Sequence, residues 1–169
     1  MDDSFSASER ERGGPAAPVS GRGGPLTEAL FAYGTLELPA VLEALTGRRF
    51  ASEPALLPGF TRFLLRDQPF PGAVPRAGAS TPGRLYHDLD ARSLALLDDF
   101  EGELYERRGV EVWSAAGGRL AAFAYLLADA HSGLLSGEPW RRERFEADEL
   151  PGYLERCRDF RLRALSRAG

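Results

Sequence analysis

Two stretches of the 169-residue chain hold reactive groups where stability alone would not put them. The first is FAYGTLEL, residues 31–38, an apolar run broken by Tyr33-Gly34-Thr35-Leu36. A glycine there leaves no side chain between the backbone and a ligand, and it admits positive φ if the turn needs it. Consecutive N–H groups released from a strand end can converge on a carboxylate or a developing oxyanion, and Thr35 can add a hydroxyl. The second stretch is LALLDDFEGELYERR, residues 94–108, where Asp98, Asp99, Glu101 and Glu103 crowd the end of a helix pattern. A helix C-terminus carries partial negative charge, so each acid is disfavoured there by about 0.3–1 kcal/mol. Exposed, screened acids account for Asp98, Asp99 and Glu103. Glu101 lies between Phe100 and Gly102. If it points inward, burial and the helix end both push its pKa toward neutrality, as a group that takes a proton and returns it requires. Taken singly, the first stretch is a strand end with a glycine turn and the second a solvated helix end. Taken together they suit an anion cradle with an acid/base beside it.

Little else in the chain offers chemistry. Cys157 is the single cysteine, which rules out an internal disulfide and a multi-cysteine zinc site, and its place on an apolar stripe makes it a small core residue. His87 alternates within GRLYHDL as a strand residue, and His131 lies in the turn-like ADAHSG. No metal or cofactor is expected. The net charge of −4 argues against nucleic acid. Arginines do cluster over 141–144 and 156–163, where they read as solvated helix faces; a protein-interaction role for the last helix would rest on that charge alone.

Several elements must position the two stretches. Residues 1–25 are rich in Ser, Gly, Pro and Arg and are expected to form a disordered tail, followed by one domain over 26–169. The pattern predicts a buried strand over 30–36, a short helix over 39–45 ended by Gly47, and strands over 55–65 joined by a turn or bulge at Pro58-Gly59. Four prolines over 68–82 predict a loop. A strand over 83–89 leads to Asp90 as the N-cap of a helix with Leu94, Leu97 and Phe100 on one face and Gly102 at its stop. Residues 110–113 and 120–127 flank a hairpin turn at Ala116-Gly117-Gly118. Pro151 opens a last helix whose apolar stripe runs through Tyr153, Cys157, Phe160 and Ala164. These elements make an α+β domain with a mixed or antiparallel sheet that can curl into a barrel. No apolar run is long enough to span a membrane and no secretory core is present, so a cytoplasmic address is expected.

Tyr33-Gly34-Thr35-Leu36, followed about 65 residues later by Phe100-Glu101-Gly102 and then by Tyr105 and Arg107, resembles the γ-glutamylcyclotransferase superfamily, which includes the plant avirulence-induced proteins. Pro58-Gly59-Phe60 resembles that family's Pro-Gly-aromatic segment. Phe70-Pro71-Gly72-Ala73-Val74-Pro75 resembles its aromatic-Pro-x-x-Val-Pro loop. The likeness covers residues 30–127 and, more weakly, 140–153. It implies a small mixed barrel with flanking helices and a cavity at one end. It further implies that Tyr33, Gly34, Thr35, Leu36 and Tyr105 bind substrate, and that Glu101 is the catalytic acid/base. The implied reaction needs no cofactor. The α-amine of a small γ-glutamyl compound attacks its own γ-carbonyl, releasing 5-oxoproline and an amine or amino acid. Many family members carry a basic residue and a glycine just after the Tyr-Gly-Thr-Leu segment, whereas this chain has Glu37-Leu38-Pro39. That departure leaves the leaving group open. A binding module that keeps the cavity without turnover, for a small carboxylate or a protein partner, is the alternative.

Overall fold

In the computed structural model, which describes residues 27–169, the first strand already separates the two faces of the fold. Along β1 (Thr27–Ala32), Leu30 and Ala32 face one buried cluster, while Phe31 and the following Tyr33 face another. This is the period-two alternation of a strand buried on both sides. The second cluster takes Leu57 from β2 (Ser52–Leu64), Leu85 from β3 (Pro71–Asp90), Val112 from β4 (Tyr105–Ser114) and Ala124 from β5 (Arg119–Leu127), so it is the interior of the sheet. The first cluster lies between the sheet and four helices: α1 (Pro39–Thr46), α2 (Ala91–Glu101), α3 (Arg142–Asp148) and α4 (Leu150–Arg167).

The strands are ordered β1-β3-β2-β4-β5 and close into a small barrel. Pairing is antiparallel except at the closing seam, where β1 meets β5 in parallel at Leu30 and Phe123. The α+β class, the mixed sheet and the flanking helices all agree with the sequence pattern. Two irregularities aim side chains. The β1–β3 register shifts between Glu28 and Leu30, so two residues of β3 oppose Ala29, and Asp88 takes φ 60°. That extra residue turns Leu89 to the helix layer beside Tyr86. The β2–β3 register shifts at Pro58-Gly59, with Gly59 at φ 80°, as expected for a bulge there.

Two expectations are corrected. The strand predicted over 30–36 ends at Ala32, and Thr35–Glu37 forms a single 3₁₀ turn leading into α1, which Pro39 opens. The loop predicted over 68–82 is mostly strand. Pro71, Pro75 and Pro82 pair across to Leu64, Phe60 and Leu56 of β2. Among the described residues, the 71–83 stretch of this strand is paired with β2 alone, and β1 pairs with it only from Arg84 onward. Proline cannot donate to a ladder, but an edge needs donors on one side alone, so the prolines are tolerated there. The tail expected over 1–25 lies outside the described residues.

The predicted helix signals hold. Asp90 is the N-cap of α2, its carboxylate accepting the Ser93 hydroxyl at 2.6 Å and pairing with Arg48 at 2.8 Å. Gly102 ends α2 at φ 61°, donating its N–H to the Asp98 carbonyl at 3.0 Å. Cys157 is fully buried in α4, and burial pushes its thiol up to about 12, in keeping with a core role. Among the described residues no helix is long and apolar enough to cross a membrane.

Candidate active site

A cavity of about 310 Å³ opens where the end of β1, the end of α2, the starts of β3 and β4, and the first turns of α4 converge. Tyr33, Gly34, Thr35, Leu36, Glu101 and Tyr105 all line it. The six residues singled out in the sequence therefore share one wall system, although β2 and β3 separate the two stretches in the chain.

The bend at 33–36 presents amide hydrogens to this space, for a reason visible in its carbonyls. The Tyr33 carbonyl accepts from Arg62 Nη1 at 2.5 Å. Those of Gly34 and Thr35 accept from the N–H groups of Glu37 and Leu38 at 3.0 and 3.2 Å. The Leu36 and Glu37 carbonyls share the Tyr86 hydroxyl at 2.8 and 3.1 Å. None of Arg62, Glu37, Leu38 or Tyr86 lines the cavity. Every carbonyl of the bend is thus drawn away from it, and in trans peptides each N–H points opposite to the preceding carbonyl. Among the described residues the N–H groups of Gly34, Thr35 and Leu36 have no acceptor. Gly34 has negative φ, −126°, so positive φ is not why a glycine stands here. Space is the reason, because a Cβ at this position would lie 3.0 Å from the Pro71 ring.

Glu101 ends α2 and turns into the cavity. Its carboxyl has no hydrogen-bond partner and no counter-ion among the described residues, and burial pushes it up to about 8. Four tyrosines surround it, and each hydroxyl is already engaged. Tyr33 donates to the Tyr125 carbonyl and accepts from the Ala73 N–H at 3.2 Å. Tyr105 donates to the Pro71 carbonyl at 2.6 Å, and Tyr125 to Asp98 Oδ1 at 2.8 Å. The Tyr153 hydroxyl and Thr35 Oγ1 lie 3.2 Å apart. Burial raises all four phenols well above their ordinary value, so they shape the cavity as neutral groups. Glu101 is the one group in the cavity placed to move a proton near neutral pH.

Asp98 does more than its sequence reading as an exposed, screened acid allowed. Besides Tyr125 it holds Arg107 at 2.9 Å, which fixes the end of α2 against β4 and β5. Asp99 and Glu103 are exposed as expected. Glu37, where the family's basic residue was missing, is a half-buried carboxylate between Arg62 at 3.5 Å and Arg142 at 3.4 Å. Burial raises its pKa and the two guanidinium groups pull against that rise. Neither histidine lines the cavity; His87 lies 3.6 Å from Glu53. Tyr125, Tyr153, Arg62 and Arg156 were not singled out as site residues in the sequence. Arg62 sits in an ordinary alternating strand and the other three gain their place only through the tertiary fold, so no local signal marks them.

Comparison with known proteins gives the family and the fold. The family model described as gamma-glutamyl cyclotransferase, AIG2-like, matches residues 30–142, which include the cradle and Glu101. AIG2-like protein D of Arabidopsis thaliana is 27% identical over 134 residues, 78% of this chain and 88% of the relative. A solution structure of an Arabidopsis thaliana protein superposes with a TM-score of 0.62 at 26% identity, covering 83% of this chain and 85% of that one. A gamma-glutamyl cyclotransferase structure shares the fold at TM-score 0.56 and 17% identity, over 78% of this chain and 86% of its own. By its matched segment and by the fold that segment builds, the chain belongs to the gamma-glutamyl cyclotransferase, AIG2-like family.

Proposed function

We propose that the protein is a cyclotransferase that converts a small γ-glutamyl compound to 5-oxoproline, with Glu101 as the proton carrier. The observation that carries this reading is the pairing of one buried, unpartnered carboxyl at about 8 with a bend whose carbonyls are all tied away from the same cavity. A free α-ammonium titrates at about 7.7–8.0, close to Glu101, so the proton passes between them at little cost. Glu101 takes the proton from the α-nitrogen. That nitrogen then attacks the γ-carbonyl carbon and a C–N bond forms, while the N–H groups of Gly34, Thr35 and Leu36 hold a substrate carboxylate or the oxyanion. Glu101 returns its proton to the leaving nitrogen as the old amide bond breaks, and the ring nitrogen, cationic after its attack, passes its second proton to the released amine, so the products are 5-oxoproline and an ammonium. The nucleophile belongs to the substrate, so the cavity has only to fold it and hold it.

The test is a panel of γ-glutamyl amino acids, peptides and amines incubated with the protein, with 5-oxoproline as the readout. Release from at least one class supports the proposal. Binding without release across the panel favours a module that recognises small carboxylates.

A further inference from the structure

Among the described residues Arg156 is the only cationic side chain lining the cavity, and apart from Glu101 every other lining side chain is neutral. It lies on α4 three residues beyond Tyr153, and its guanidinium stands over the Tyr153 ring at 5.3 Å. Stacking on an aromatic face restricts a long side chain while leaving the N–H edge of the guanidinium open. Among the described residues no carboxylate pairs with it. The residue is exposed, whereas Tyr153 is buried with its hydroxyl against Thr35, so Arg156 stands toward the mouth and Tyr153 toward the cradle.

The cavity thus has two anion-binding features on different walls: the N–H groups of the bend, and the guanidinium of α4. A γ-glutamyl amine carries one carboxylate, and a γ-glutamyl amino acid carries two. We infer that Arg156 binds the carboxylate of the leaving group, so that the preferred substrates are γ-glutamyl amino acids or peptides in which the carboxylate lies close to the scissile amide. This inference rests on the cyclotransferase reading and adds to it the class of leaving group.

The discriminating pair of compounds is γ-glutamylalanine and γ-glutamylethylamide, which differ only by that carboxylate. Dissociation constants for both are measured by calorimetry in a Glu101→Gln background, which binds without consuming the compound, alone and combined with Arg156→Gln or with Arg158→Gln, an exposed control on the same helix. 5-Oxoproline release by the wild type is followed in parallel. A charge-assisted contact predicts that Arg156→Gln weakens γ-glutamylalanine by about 10–100-fold and leaves γ-glutamylethylamide within about twofold. Arg158→Gln should change neither. Equal losses on both compounds would assign Arg156 to the glutamyl end or to the packing of Tyr153, and would overturn the inference; so would unchanged binding of γ-glutamylalanine. Because the readout is a ratio of affinities, it decides the matter even if neither compound is turned over, an outcome that would count against the cyclotransferase reading instead.

Discussion

At the scale of the residue, Glu101 links stability and rate through one titration. Its ordinary value is 4.5 and burial pushes it up to about 8. Between those limits the folded chain keeps a proton that the unfolded chain has released. Stability therefore falls as pH rises through that window and levels off above it. Glu101→Gln removes the penalty. The substitution should be nearly neutral below pH 4.5 and stabilising by about 2–4 kcal/mol at pH 8.5, as read from urea unfolding across the range. A difference that does not change with pH would contradict a buried carboxyl. Rate follows the same proton. In the proposed mechanism the reactive complex holds one proton between Glu101 and the substrate amine, so acid adds one too many and alkali removes the one that is needed. kcat/KM should be a bell centred near pH 8, falling about tenfold per unit on either side.

At the scale of the element, the site depends on how the β1–α1 bend is held from behind. Arg62 binds the carbonyls of Tyr33 and Pro82 at 2.5 and 3.2 Å, pairs with Glu37 at 3.5 Å, and stands 5.3 Å from the centre of the Trp140 ring. Arg62→Met would free the Tyr33 carbonyl to rotate and would leave Glu37 with Arg142 alone. The expected cost is about 2–3 kcal/mol in chemical unfolding, with a rise in KM larger than the fall in kcat, because the damage is to holding the substrate. Gly34→Val presses a branched side chain against Pro71, where even a Cβ has only 3.0 Å. Either the bend or the start of β3 must then move. Substrate affinity should fall by more than the roughly 1–3 kcal/mol that overpacking takes from stability, and wild-type affinity in this variant would remove the cradle. The sequence showed where such elements stop more clearly than where they continue. Asp90, Gly102 and Pro151 marked helix ends because caps are local chemistry. The prolines of β3 read as a loop in the sequence because their tolerance depends on which side of the strand lacks a partner, and that is decided elsewhere in the chain.

At the scale of the whole molecule, the family motifs made the cradle and Glu101 legible, since each is a short segment with its own turn chemistry. What joins them was not. The Tyr33 hydroxyl reaches the Tyr125 carbonyl across 92 positions, and Thr35 meets Tyr153 across 118. Both contacts exist only because the sheet closes and α4 packs back over its open end. No periodicity within one element encodes such a meeting. Arg156 is illegible for the same reason: in sequence it is one of several arginines on a solvated helix, and only the fold brings it to the cavity. The departure at Glu37 was visible, but its meaning was not, because Arg62 and Arg142 come from β2 and α3.

The proposed chemistry depends on the proton carried by Glu101. The direct measurement is the rate of 5-oxoproline formation from a γ-glutamyl compound that the wild type turns over, compared in Glu101→Gln and Glu103→Gln. Glutamine keeps the shape of Glu101 and its hydrogen-bonding reach but cannot accept the proton, and general acid–base catalysis contributes about 10²–10⁴-fold. Glu103 is exposed two residues away and is absent from the cavity wall, so its substitution should leave the rate within about twofold. The predicted result is a loss of that order in Glu101→Gln with substrate binding retained, and no loss in Glu103→Gln. Wild-type turnover in Glu101→Gln would remove the residue from the chemistry and with it the mechanism proposed for this cavity.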